Sequence, residues 1–131
     1  MNKKVLCDMA ISATDKSYSP YSGCKVGAAL LSANGQVFTG CNIENASFSP
    51  TICAERTAFA KAESEGVTKF SAIAIAAKRG GKLSTFTPCG VCRQVMSEFC
   101  DADFKVLVVT GENTFEEYTL AELLPASFKL D

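Results

Sequence analysis

The chain has 131 residues, a length that suits one domain covering 1–131, and nearly half of them are hydrophobic, enough to build a core. Its 13 basic and 14 acidic side chains almost cancel, with no basic stripe to grip nucleic acid and no acidic tail. The longest apolar stretches, 26–31 and 72–77, fall far short of the ~20 residues that cross a bilayer, and Asp8 and Ser12 break any signal-like core, so the expected location is the cytoplasm.

A first helix is expected over 3–15, where Val5 and Met9 with Leu6, Ala10 and Ala13 recur at helical spacing. Residues 17–23, with Pro20, Gly23 and three serines, read as a loop. Strands over 26–32 and 36–41 flank Asn34-Gly35, which suits a type I′ hairpin turn with two left-handed residues. Residues 42–50 are polar and irregular. A helix over 52–65 stops at Gly66, and 70–77 is apolar enough for a buried strand. Residues 78–88, with Gly80-Gly81, read as a loop. A shorter helix follows Pro88 through Phe99, then strands over 105–110 and 115–119, and a helical piece over 120–124 halted by Pro125. Helices alternating with strands point to an α/β fold with helices layered on a central sheet, and the hairpin makes that sheet mixed.

Seven cysteines and no histidine are the unusual counts. Without histidine there is no Ser-His-Asp triad and no Cys-His pair, so acid–base chemistry falls to carboxylates, thiols or metal-bound water. An odd cysteine number in a reducing compartment argues for thiols or metal ligands rather than a disulfide framework. Cys89 and Cys92 stand three apart where a helix begins, a spacing that offers two thiolates to one tetrahedral zinc. Cys53, at the start of the earlier helix, completes a set of three if the two helix starts meet, and the positive ends of both helices would stabilise the thiolates. Three protein ligands leave one position for water, the catalytic arrangement. Glu55 is then the natural proton shuttle, provided Cys53 sits at the helix edge, because residues two apart do not share a helix face. Arg56 is placed to donate to a thiolate and offset the charge of a zinc with three of them. Taken singly, the Cys-x-x-Cys pair also fits a redox motif, Glu55 a favourable dipole position, and Arg56 a solvated side chain.

In order, Cys53-Ala54-Glu55-Arg56 followed by Pro88-Cys89-Gly90-Val91-Cys92 resembles the signature of zinc deaminases with three cysteines. Together with Tyr18-Ser19-Pro20-Tyr21-Ser22, Gly40-Cys41-Asn42-Ile43-Glu44-Asn45-Ala46 and Glu122-Leu123-Leu124-Pro125, almost the whole chain is similar to the small homotetrameric cytidine deaminases. The resemblance implies a three-layer αβα fold with a mixed five-stranded sheet, and one zinc per subunit on Cys53, Cys89 and Cys92. It implies Glu55 as the catalytic residue, Asn42 and Glu44 on the ribose hydroxyls, and the Ala54 backbone N–H on the base carbonyl. It implies a homotetramer in which Ala46, Phe48 and Phe128 help close a neighbouring pocket. The implied activity is deamination of cytidine and deoxycytidine in pyrimidine salvage, on a small nucleoside and not on nucleic acid. The alternative is a deaminase of the same fold acting on a modified cytosine nucleoside or a cytosine-bearing antibiotic. One position departs from the pattern. Cys24 stands where relatives carry an aromatic against the base, so substrate preference is expected to turn on the space it leaves. Cys7, Cys41 and Cys100 are expected to be packing residues.

Overall fold

The computed structural model describes residues 1–130. Helix α1 (Lys3–Ala13) starts where the Asn2 side chain accepts from the Lys4 and Val5 N–H groups, an N-cap that satisfies donors the helix leaves unpaired. It tightens into a 3-10 turn at Thr14–Lys16. Strands β1 (Cys24–Ser32) and β2 (Val37–Cys41) form the expected antiparallel hairpin. Its turn is not type I′. Leu31 pairs with Val37, so the connection is longer than two residues, and of Asn34 and Gly35 only the glycine takes a positive φ, 92°. A longer turn needs one left-handed residue rather than two, which spares the asparagine that strain.

Helix α2 (Ala54–Ser64) leads to β3 (Phe70–Arg79), and here the expected loop over 78–88 is in part a second hairpin. Gly80 and Gly81 have φ of 56° and 78°, the two left-handed positions of a type I′ turn. They fold β4 (Lys82–Ser84) back on β3 with Arg79 opposite Lys82. The sheet therefore has six strands, one more than expected. Helix α3 (Gly90–Phe99), β5 (Lys105–Gly111), β6 (Thr114–Thr119) and the short α4 (Leu120–Leu123) complete the chain.

The strand order is β2-β1-β3-β5-β6, with β4 beside β3, and only β3 and β5 run parallel. Alternation along the strands sorts side chains to two faces. Leu30, Ile73, Ile75, Val106 and Val108 pack with α2 and α3 around Phe59, whose ring meets Phe70 edge-on at 5.1 Å. Ala29, Ala74, Ala76, Leu107 and Val109 pack against Leu6, Cys7 and Ala10 of α1. Helices thus cover both faces, as the three-layer reading requires. Burying one large apolar chain contributes ~1.5–3 kcal/mol, so the fully buried Phe59, Ile73 and Leu107 stabilise both layers. Cys7 and Cys100 are buried among these side chains, and Cys41 is half-buried with its thiol donating to the Lys16 carbonyl. Among the described residues no helix is long and apolar enough to cross a membrane.

Candidate active site

Helices α2 and α3 start side by side. Cys53 is the N-cap of α2 and Cys89 the N-cap of α3, both with extended backbone, and neither side chain caps its own helix. Their thiols turn towards each other and towards Cys92 in the first turn of α3. The three Sγ atoms lie within 4.8 Å of one another, 3.8 Å from Cys53 to Cys89 and 3.5 Å from Cys89 to Cys92. A tetrahedral zinc with Zn–S bonds of ~2.3 Å holds its sulfurs ~3.8 Å apart, so this donor set fits the metal in both chemistry and spacing. Cys53 stands at the edge of the helix rather than inside it, which is why Cys53 and Glu55 can serve one site.

Gly40 on β2 brings α2 to this position. A Cβ there would stand 2.5 Å from the Ala54 carbonyl and 2.6 Å from the Ala58 nitrogen, so the helix rests directly on strand backbone. Arg93 fixes the other start. Its guanidinium donates to the Pro88 carbonyl and to the Leu123 carbonyl, both at 2.7 Å, tying the entry of α3 to α4.

The first proton leaves the thiol cluster easily. A hydrogen bond from Cys92, then the Arg56 guanidinium 3.5 Å away, hold the Cys53 thiol well below its ordinary value despite burial. The same shared proton, with burial, pushes Cys92 upward. Arg56 thus lies against the Cys53 sulfur.

A cavity of about 200 Å³ opens in front of the cluster. Glu55 lines it and is 4% exposed. Burial pushes its carboxyl up to about 7, partly opposed by its own backbone N–H, and the Cys53 charge adds to the rise. A carboxyl poised there can both take and return a proton near neutral pH. Ala54 lines the same cavity. The first backbone bond of α2 runs from Thr57 N–H to the Cys53 carbonyl, so the Ala54 N–H has no partner within the helix. A larger cleft of about 430 Å³ lies between α1, β2 and α2, away from the thiol cluster.

The remaining residues singled out from sequence divide between cavity and rim. Asn42 lines the cavity, 9% exposed, and its amide also does structural work: Nδ2 donates to the Cys24 carbonyl, while Oδ1 accepts from the Val26 N–H and the Ser17 hydroxyl. Glu44 lies outside the cavity wall. Its carboxylate accepts from the Tyr21 and Ser22 N–H groups and the Ser22 hydroxyl, with the hydroxyl contributing most to holding it below the usual carboxylate value. Asn42 and Glu44 thus clamp the 17–23 loop at both ends. Ala46, Phe48 and Phe128 are exposed, Phe48 at 76% and with a left-handed φ of 25°. Within one chain they leave the cavity open. Cys24 is buried and does not line the cavity; the aromatic that does is Phe86. The signal for Phe86 was a lone aromatic in a polar stretch just before Pro88-Cys89, and reading 78–88 as loop hid it.

The family model for the cytidine and deoxycytidylate deaminase zinc-binding region matches residues 1–109. A cytidine deaminase from Sporosarcina psychrophila is 49% identical over 116 residues, 88% of this chain and 83% of that protein. One from Halalkalibacterium halodurans is 48% identical over 128 residues, covering 98% and 95%. The crystal structure of cytidine deaminase from Burkholderia pseudomallei superposes with a TM-score of 0.89 at 39% identity, covering 98% of this chain and 100% of that one. Three converging thiols with a buried carboxyl beside them are what a zinc-binding region of that kind calls for, and this chain belongs to the cytidine and deoxycytidylate deaminase family, with zinc as its cofactor.

Proposed function

We propose that the chain hydrolyses the exocyclic amino group of cytidine and deoxycytidine, giving uridine or deoxyuridine and ammonia, as one domain spanning 1–131. The observation that carries this reading is the buried Glu55 beside the Cys53, Cys89 and Cys92 thiols in one small cavity. Cys53, Cys89 and Cys92 would hold zinc, which would supply Lewis-acid activation of the attacking water. Glu55 takes a proton from that water and gives it to N3 as oxygen bonds to C4. It then carries the remaining hydroxyl proton to the amino group, which leaves as ammonia. The Ala54 N–H, unpaired within its helix, receives the base carbonyl. Asn42, through the Nδ2 hydrogen beyond its bond to the Cys24 carbonyl, and Glu44, through the carboxylate lone pairs beyond its hold on the 17–23 loop, meet the ribose hydroxyls. Arg56 keeps the thiolate charge in check.

The open, partly apolar rim favours closure by other copies. Phe48 and Phe128, at 76% and 66% exposed, are apolar surface that a homotetramer would cover by setting Ala46, Phe48 and Phe128 against neighbouring cavities. Cytoplasmic pyrimidine salvage is the setting that suits such an enzyme.

Loss of cytidine ultraviolet absorbance tests the reading, run on the parent and on Glu55→Gln with zinc measured in both. Turnover is expected in the parent. The variant should keep zinc and lose roughly 10²–10⁴-fold in kcat, the usual worth of a positioned acid–base group. A fully zinc-loaded parent that leaves cytidine intact would overturn the proposal and turn the search to modified cytosine nucleosides and cytosine-bearing antibiotics.

A further inference from the structure

We propose that Phe86 is the specificity-determining wall of the cavity, the surface on which the pyrimidine ring packs, and that Arg79 is the residue that positions it. This rests on the nucleoside reading above and adds to it a residue outside the zinc-binding motifs.

Phe86 is the sole aromatic among the residues that line the cavity, where it faces the same space as Glu55, Ala54 and Asn42. Its place is fixed by the second hairpin. The Gly80–Gly81 turn sends β4 back along β3, Ser84 pairs with Ala77, and the chain leaves that pairing two residues before Phe86. Three residues further on stands Cys89, at the thiol cluster. Between them, Thr87 and Pro88 are both held by Arg93, so the ring is tethered to strand on one side and to the metal corner on the other.

Arg79 supplies the other hold. Cys24 pairs with Arg79, Val26 with Ala77 and Ala28 with Ile75, so these six side chains share one face of the sheet. Val26 and Ile75 of that set line the cavity. The Arg79 guanidinium stands over the Phe86 ring, 5.2 Å from its centre, a cation–π contact. Cys24 matters here through its size. Directly paired Cα atoms in a sheet stand only ~4.5–5.5 Å apart, so a bulky residue at 24 would compete with the Arg79 side chain for the space above the strand pair. A small thiol leaves Arg79 free to reach the ring. A flat, half-buried π surface beside Glu55 suits a planar pyrimidine, which gains packing and keeps its amino group towards the reacting carboxyl.

The test is steady-state deamination of cytidine by zinc-loaded protein, with binding of the product uridine measured alongside. Phe86→Leu keeps apolar bulk and removes the flat ring. It is expected to raise KM roughly five- to tenfold and weaken uridine binding in step, with kcat within about twofold and zinc content unchanged. Phe86→Tyr should restore the parent KM. Arg79→Met should raise KM by a smaller factor, and Arg79→Lys, which keeps the cation, should recover it. A parent that deaminates cytidine while Phe86→Leu keeps the parent KM and uridine affinity overturns this inference and leaves the proposed function standing. So does a loss confined to kcat. A zinc-loaded parent with no cytidine turnover overturns both.

Discussion

At the metal corner, Cys53, Glu55, Cys89 and Cys92 all stand at the cap or in the first turn of two helices, while from the cavity wall out to the rim Asn42, Glu44 and Phe48 come from chain with no regular structure. The corner is held mainly by backbone, with the Arg93 guanidinium tying down the entry of α3. Helical hydrogen bonds and the close seat of α2 on Gly40 fix where its side chains point before any ligand arrives. The rim is held by side chains, with Asn42 and Glu44 gripping the 17–23 loop. Changes at the corner should therefore cost the metal, whereas changes at the rim should cost affinity for substrate and leave the metal alone.

The largest effect is expected from Cys92→Ala. Two thiols cannot close the donor set, so zinc and cytidine turnover should both vanish; a variant that keeps stoichiometric zinc in metal analysis would break the comparison. Arg56→Ala should keep the fold and weaken zinc retention by roughly 10–100-fold in chelator competition, since the Cys53 thiolate loses its donor. Unchanged retention would mean that the guanidinium does not offset the thiolate charge.

Gly40→Ala tests the seat of α2. With backbone atoms at 2.5 and 2.6 Å from the new methyl, the helix must shift. The denaturant midpoint should fall by the equivalent of ~1–3 kcal/mol, with zinc held less tightly. At the rim, Glu44→Gln should leave zinc unchanged and raise KM by roughly three- to tenfold, because the neutral amide holds the Tyr21 and Ser22 N–H groups less strongly than the carboxylate. A loss of zinc in that variant would show the two regions to be one unit.

The smallest effect sharpens the contrast among cysteines. Burial pushes the Cys7 thiol to about 11 and the Cys100 thiol to about 12. Only the thiolate is alkylated, so at pH 9 both should react far more slowly than in the unfolded chain. The sign for stability follows: the unfolded thiols ionise first, near their ordinary 9.0, so stability is intact below that pH and declines as pH climbs through 11–12. Iodoacetamide labelling followed residue by residue from pH 7 to 11 checks the first statement, and the denaturant midpoint followed from pH 8 to 12 checks the second.

Much of the corner was legible in the sequence. Cys53-Ala54-Glu55 and Pro88-Cys89-Gly90-Val91-Cys92 are local patterns whose side-chain directions follow from helix geometry, and helix starts are marked by their own residues. Most strands of the sheet were legible for a different reason: 26–32 and 105–110 are short apolar runs, buried almost throughout because helices cover both faces of the sheet. Two turns were misread, for opposite reasons. Asn34-Gly35 carries the strongest two-residue hairpin signal, yet the pairing of Leu31 with Val37 allotted it a longer connection. Gly80-Gly81 carries a comparable signal and lacked an apolar strand after it, so β4 went unseen.

The sequence by itself determined which thiols are spaced to offer themselves to one metal and which carboxyl stands beside them, because those features belong to side-chain chemistry and to spacing at each helix start. Only the tertiary structure decided that the two helix starts converge on 3.8 Å sulfur contacts, that Glu55 loses its water, and that Phe86 rather than position 24 meets the cavity. Those outcomes depend on strand register and on the close contact at Gly40, which join residues far apart in the chain, and no local pattern encodes the distance between them.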